Sequence, residues 1–317
     1  MVMLRNLKIL KPIFSVRDCI MNKLGLFSLK RRLKSYNYFK RIKREDEKKR
    51  HQVADAIMSI PEGWLKMHGQ ANIIISLTSH GQRVERFVPY AIYSVLQQNV
   101  LPKRIVLNLD REIWTNDTLP PLLRHLQKTG IEVAYVEDMG PYTKLLPAIK
   151  NYPDSIIVSI DDDIYYDENM VGELLSAYDK SDQKSIICRN GMRLHKKDGK
   201  FLSYTEQPHI SECDDAPGIP FGVSGVLYPP HVFDEEIFNR KVYEKLCPRT
   251  DDIWIGIMAL INKVNVSYIY DNSWSSARVV DHNDEFNQDS STAMHFANDE
   301  KADEIFRNLV TYYQLED

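Results

Sequence analysis

A chain of 317 residues, 43% hydrophobic and 10% aromatic, carries enough apolar material for one large core or two small ones. Its four cysteines (Cys19, Cys188, Cys213 and Cys247) lack any CxxC spacing, which argues against a structural zinc site and a disulfide framework and fits a reducing cytoplasm. The net charge of -3 hides an asymmetry: residues 1–52 hold sixteen Lys and Arg against four Asp and Glu, leaving 25 basic against 40 acidic residues in the remainder.

The basic segment comes first. Apolar and aromatic positions such as Leu10, Phe14, Phe27 and Tyr38 alternate with clusters such as Lys30-Arg31-Arg32 and Lys40-Arg41-Ile42-Lys43-Arg44. That composition suits a helical segment lying on an anionic membrane surface, each basic residue near the headgroups adding on the order of 1 kcal/mol. A solvated helical extension is the plainer alternative, and nucleic acid is not expected as a partner. No run approaches eighteen apolar residues, so no spanning helix is expected, and the start MVMLRNLKILKPIF does not have the build of a secretory signal. Residues 1–69 are therefore expected as a basic N-terminal segment, peripheral on the cytoplasmic face of a membrane, and 70–317 as one domain.

From residue 71 the pattern becomes alternating strand and helix. Ile73 to Leu77 reads as a buried strand, Arg83 to Gln97 as a helix, and Arg104 to Leu109 as a second strand. A helix over Leu119 to Lys128 is stopped by Gly130, followed by a strand over Ile131 to Val136 and a helix over Tyr142 to Asn151. This order predicts an α/β fold with a mostly parallel, Rossmann-like sheet.

The fourth strand carries the chemistry. Ser155-Ile156-Ile157-Val158-Ser159-Ile160 runs into Asp161-Asp162-Asp163, so three carboxylates arrive at the C-terminal edge of the sheet, where open α/β folds bind ligands. On an extended segment Asp161 and Asp163 project to one side and Asp162 to the other. Two converging carboxylates raise each other's pKa unless a cation neutralises them, and a hard divalent metal is the usual partner. A solvated acidic loop is the bland alternative.

With Ile75-Ser76-Leu77-Thr78-Ser79, Tyr90-Ala91-Ile92-Tyr93-Ser94-Val95-Leu96-Gln97-Gln98, Pro102-Lys103-Arg104-Ile105-Val106-Leu107 and Ile160-Asp161-Asp162-Asp163 in that order, the chain resembles the nucleotide-binding half of GT-A fold glycosyltransferases with a DxD motif. Gly140-Pro141-Tyr142-Thr143-Lys144-Leu145 and Thr250-Asp251-Asp252-Ile253-Trp254 extend the similarity to exostosin-like and bacterial surface-polysaccharide enzymes, over roughly residues 71 to 290. The resemblance implies a metal-dependent transfer of a sugar from a nucleotide donor, UDP-linked, to a hydroxyl of a glycan or lipid-linked acceptor in capsule or lipopolysaccharide assembly. It implies Mn2+ or Mg2+ held by Asp163, with Asp161 contacting the ribose or reaching the metal through water, and Asp162 in the variable middle position.

By the same resemblance Thr78, Ser79 and Arg83 contact the nucleotide, and Lys144 screens the diphosphate as a compact point charge. Gly225, in the glycine-punctuated run Pro220 to Pro230 with Gly222, lines the donor sugar. Asp252, with Asp251, faces the acceptor hydroxyl as the candidate general base. Acids in the first turn of a helix are also favoured by its dipole whatever the function. His282, in Val280-Asp281-His282-Asn283-Asp284, is a candidate third metal ligand. The rival functions are a sugar-phosphate nucleotidyltransferase, which normally needs more than the single glycine of Leu77-Thr78-Ser79-His80-Gly81-Gln82-Arg83, and a non-catalytic module of an assembly complex.

Overall fold

Strand β1 (Ala71–Thr78) owes its position to a run whose two faces are both apolar. Ile73, Ile75 and Leu77 enter one core while Ile74 enters another, and the same alternation holds in β2 (Pro102–Asp110), where Ile105, Leu107 and Leu109 face the first core and Val106 the second. A strand buried on both faces needs helices on both faces. The computed structural model, which describes residues 47–208, 215–269, 278–279 and 299–316, supplies them.

On the first face lie α1 (Trp64–His68), α2 (Arg83–Arg86), α3 (Val88–Leu96), α4 (Pro121–Thr129) and α6 (Met170–Lys180), contributing Leu65, Val84, Val88, Ile92, Leu123, Leu126 and Leu174. On the second lie α5 (Leu146–Asn151) and α8 (Asp251–Ile261), contributing Ala148, Ile255 and Ala259. Each such aliphatic side chain, fully buried, contributes about 1.5–3 kcal/mol relative to exposure. A third cluster joins the other face of α8, through Ile253, Trp254 and Ile257, to α7 (Arg240–Leu246) through Val242 and Tyr243 and to α9 (Asp299–Tyr312) through Phe306 and Leu309. Trp254 is fully buried, and its indole N–H donates to Ile237 O at 3.1 Å.

The main sheet has the order β10 (Asp215–Ala216), β13 (Val266–Tyr268), β6 (Ile186–Cys188), β12 (Val226–Tyr228), β4 (Ile156–Ser159), β1, β2 and β3 (Glu132–Val136), while β7 (Gly191–Arg193) pairs with β11 (Gly218–Pro220) and β8 (Lys196–Lys197) with β9 (Lys200–Phe201). β3 (Glu132–Val136), β2, β1 and β4 (Ile156–Ser159) are parallel, with Ile75 opposite both Ile105 and Val158. Beyond β4 the sheet changes character. β12 (Val226–Tyr228) runs antiparallel between β4 and β6 (Ile186–Cys188), β13 (Val266–Tyr268) pairs parallel with β6, and β10 (Asp215–Ala216) closes the edge antiparallel. The fold is the mostly parallel, Rossmann-like α/β architecture expected from the sequence.

Three expectations change in detail. The helix over 83–97 is broken at Phe87, where Pro89 restarts it as α3, and the helix over 142–151 is a 3-10 turn (Tyr142–Lys144) followed by α5, with Pro147 at its start. Proline fixes φ and removes an N–H donor, so it is tolerated at the first turn of a helix and not within one. The compact unit begins at Lys49 rather than residue 70, because Val53, Ile57 and Leu65 are buried in the first core. The membrane-surface expectation for residues 1–50 falls almost entirely outside the described residues. Among those described, no helix is long and apolar enough to cross a membrane.

Candidate active site

β4 stops at Ser159, and the acids that follow lie in irregular backbone and a turn before the two-residue strand β5 (Ile164–Tyr165). The alternation of an extended strand therefore ends before the triplet, and with it the expected convergence of Asp161 and Asp163 away from Asp162. Asp162 and Asp163 instead share Arg83, while Asp161 turns to Lys144.

Two clasps organise this edge. In the first, Arg83 Nε donates to Asp162 Oδ2 at 3.0 Å and its Nη2 to Asp162 Oδ1, while the same Nη2 lies 3.1 Å from Asp163 Oδ2. The Ser79 hydroxyl donates to Asp162 Oδ2 at 2.5 Å. A planar guanidinium matches a carboxylate with two parallel bonds, a geometry that an ammonium does not reproduce. Burial alone would lower the Arg83 pKa, but Asp162 and then Asp163 outweigh it and hold it above its ordinary value. The clasp fixes the loop after β1 and the start of α2 to the end of the acid strand.

In the second clasp, Lys144 Nζ lies 2.9 Å from Asp161 Oδ1 and 3.0 Å from Asp251 Oδ2. Burial would lower the Lys144 pKa, yet Asp161, Asp251 and Asp252 raise it well above the usual lysine value, so the ammonium is charged. Asp251 and Asp252 open α8, and Asp252 Oδ1 accepts from the Gly222 N–H at 3.2 Å. α8 is itself set close: a side chain on Gly256 would come within 2.5 Å of Ile219 in β11 (Gly218–Pro220). The strand leading to Gly222 and the helix carrying the acid pair are thus fastened to one another.

The acids differ in their titration. Burial, then the adjacent Asp251 charge, pushes Asp252 up to about 8 against the pull of Lys144. Asp163, whose side chain keeps 29% of its surface in solvent, is pushed up to about 6 by the protein packed around it and then by Asp162, with Arg83 pulling the other way. Asp251 is also raised, first by burial.

The remaining expected site residues are placed as follows. Thr78 donates its hydroxyl to Asn108 O at 2.9 Å, joining β1 to β2. Gly225 has φ +88° in the turn before β12, and a side chain there would meet Met170 Sδ at 3.0 Å. Its backbone conformation and its packing on α6 account for the glycine, so it is Gly222, not Gly225, that touches the acids. A side chain on Gly222 would lie 2.8 Å from Lys144 Nζ and 3.5 Å from both Asp161 and Asp252. His282 lies outside the described residues. Tyr166, not anticipated, accepts the Asp161 N–H on its hydroxyl at 2.8 Å and fixes the first acid's backbone. The only sequence signal for it was the aromatic pair following the triplet.

Among the described residues no three His, Cys, Asp or Glu side chains form a group able to hold a metal ion by themselves. The donor set on offer is two partly exposed carboxylates, Asp163 and Asp161, each also facing a cation, beside the buried Asp162. Those residues fit a hard cation that brings further oxygen ligands with it, from water and a diphosphate, as Mg2+ does when bound through one or two carboxylates.

No protein-family model and no curated protein matches the chain. Among solved structures it is similar to TarS 1-349 of S. aureus in complex with UDP, at 15% identity over 64% of this chain and 59% of that one, TM-score 0.41. It is also similar to the mannosyltransferase PcManGT from Pyrobaculum calidifontis in complex with GDP-Man and Mn2+ (12%, 69% and 60%, 0.39) and to CMP:2-keto-3-deoxy-manno-octonic acid synthetase complexed with CTP (9%, 63% and 90%, 0.40). The chain spans about six tenths of the length of the first two.

Proposed function

We propose that this protein is a glycosyltransferase that moves a sugar from a nucleotide donor, UDP-linked, to a hydroxyl of a glycan or lipid-linked acceptor in surface-polysaccharide assembly. The observation that carries the proposal is the meeting, across Lys144, of the acids at the end of β4 with the acid pair at the head of α8. One set follows the carboxyl end of the parallel strand β4, the edge at which nucleotides bind in open α/β sheets. The other presents Asp252 as the group that withdraws the acceptor's proton while its oxygen attacks the anomeric carbon. Asp163, with Asp161 beside it, would hold Mn2+ or Mg2+, and the ion when bound supplies a positive charge for the departing diphosphate. Ser79 and Arg83 shape the loop that receives the nucleotide, and Gly222 leaves room above the acids for the sugar.

The test is a thermal-shift panel of nucleoside diphosphates and nucleotide sugars, with and without Mn2+, beside Asp163→Asn. A ligand at a hundred times its dissociation constant adds about 2.7 kcal/mol to the folded state. The expected result is a metal-dependent rise in melting temperature for one nucleotide family, absent in the variant, with nucleoside diphosphate as the product of turnover. Release of pyrophosphate would identify a nucleotidyltransferase, and no shift in folded protein would identify a non-catalytic module. The basic residues 1–50 are proposed to hold the enzyme on an anionic membrane surface. Equal partition onto anionic vesicles by a chain lacking residues 1–48 would refute that part.

A further inference from the structure

Lys144 is the residue at which the two halves of the site meet. It ends the 3-10 turn before α5, and its side chain is 10% exposed. An ammonium has three N–H donors. One carboxylate within reach comes from Asp161 at the end of β4, at 2.9 Å, and another from Asp251 at the head of α8, at 3.0 Å. On a third side Gly222 carries no side chain, and a Cβ there would lie 2.8 Å from Nζ. A diphosphate anchor must present its donors to the incoming ligand, whereas this ammonium is engaged by two acids and its side chain is largely buried.

We infer that Lys144 is a positioning residue, pinning Asp251 at the head of α8 to Asp161 at the end of β4, and not a ligand of the donor diphosphate. The pin sets where Asp252, the next residue of α8, stands relative to the nucleotide edge. This deepens the glycosyltransferase proposal and rests on it for substrate, though not for the pairing itself.

Two measurements test the inference on the full chain. The first is a double-mutant cycle in urea between Lys144→Met and Asp251→Asn. The two losses of stability are expected to fall well short of adding, because either change alone breaks the same pair. Additive losses would overturn the pin. The second is UDP affinity with Mn2+ by calorimetry, read beside release of UDP from its sugar donor. For both variants we expect a Kd within about twofold of the native protein and a turnover lower by about a hundredfold, the cost of misplacing a reacting group by an ångström. A Kd at least about tenfold weaker in Lys144→Met alone, worth about 1.4 kcal/mol, would overturn the inference and make the ammonium a diphosphate ligand. Should Lys144→Met fail to fold, Asp251→Asn decides: lowered turnover at unchanged Kd supports the pin, and unchanged turnover refutes it. If the native protein binds no UDP, the glycosyltransferase proposal fails while the cycle still decides the pairing.

Discussion

Replacing Asp162 by Asn isolates the clasp between the acid strand and the loop after β1. The change keeps the size of the side chain and removes the charge that faces Arg83 Nε at 3.0 Å and accepts from Ser79 at 2.5 Å. The side chains of Arg83 and Asp162 are 14% and 8% exposed, so the pair belongs with buried ion pairs rather than surface ones. Removing one partner of a buried pair costs about 3–5 kcal/mol, because the other charge is left unpaired. Here Arg83 retains Asp163 at 3.1 Å and some contact with water, which reduces the expected loss to about 2–3 kcal/mol. At about 2–4 °C per kcal/mol for a domain of this size, the melting temperature should fall by roughly 5–10 °C. Urea unfolding of native, Asp162→Asn and Arg83→Lys proteins at pH 7.5 measures it. Arg83→Lys keeps the charge and loses the two-pronged geometry, so its loss should be smaller. A loss below about 0.5 kcal/mol for Asp162→Asn, the range of ordinary surface changes, would refute the view that this acid organises the loop.

Asp163→Asn should have the opposite effect on the free protein. Its carboxyl is raised to about 6 from an ordinary 3.8, so the charged form is disfavoured on folding, and the penalty is present above pH 6 and relieved as pH falls from 6 toward 4. After a discount for its 29% exposure, the variant should gain about 1–2 kcal/mol at pH 7.5, at 1.36 kcal/mol per unit of pH, and lose that advantage near pH 4; destabilisation at pH 7.5 counts against the assignment. For Asp252, held up to about 8 by burial and then by Asp251, turnover should rise with pH and level above about 8, and Asp252→Asn should remove that limb. The same group lowers stability as pH rises from about 4 to 8, since the folded form binds the extra proton, and a flat rate profile between pH 6 and 9 would rule it out as the base.

The parallel half of the sheet was legible because its signal is local. Ile73 to Leu77 and Ser155 to Ile160 are apolar on both faces, and only a strand covered on both sides uses such runs. The antiparallel insertion of β12 was not legible. Its three residues, Val226 to Tyr228, are chosen by partners far away in sequence, Ile157 to Ser159 and Ile187 to Cys188, and no period can be read from so short a segment. The acids were found as residues but not as pairs. Alternation assigned Asp161 and Asp163 to one side, and the turn that begins after Ser159 cancelled it. Which cation meets which acid depends on contacts spanning 79 residues for Arg83 and Asp162, and on the docking of α8 for Lys144 and Asp251. Neither leaves a trace in spacing.

The pairing also bears on what the proposed site requires of a ligand. Five aspartates, at positions 161, 162, 163, 251 and 252, are drawn together with Arg83 and Lys144, and each cation is directed at an acid of the triplet. A proton held by Asp252 up to about pH 8 removes one negative charge, and the edge still carries more carboxylates than cations. Like charges about 4 Å apart repel by about 4 kcal/mol at the effective dielectric near a protein surface, so an added diphosphate would be repelled by every unneutralised acid within reach. Arg83 and Lys144 are engaged, and diverting either would leave a partly buried aspartate unpaired. On the proposed function, the site favours an arrangement in which positive charge enters with the nucleotide and settles at Asp163, which shares Arg83 with Asp162 and whose carboxyl is raised by burial and then by the Asp162 charge. Binding of the nucleotide and of the cation should then reinforce each other, which is the coupling that a metal-dependent thermal shift reads.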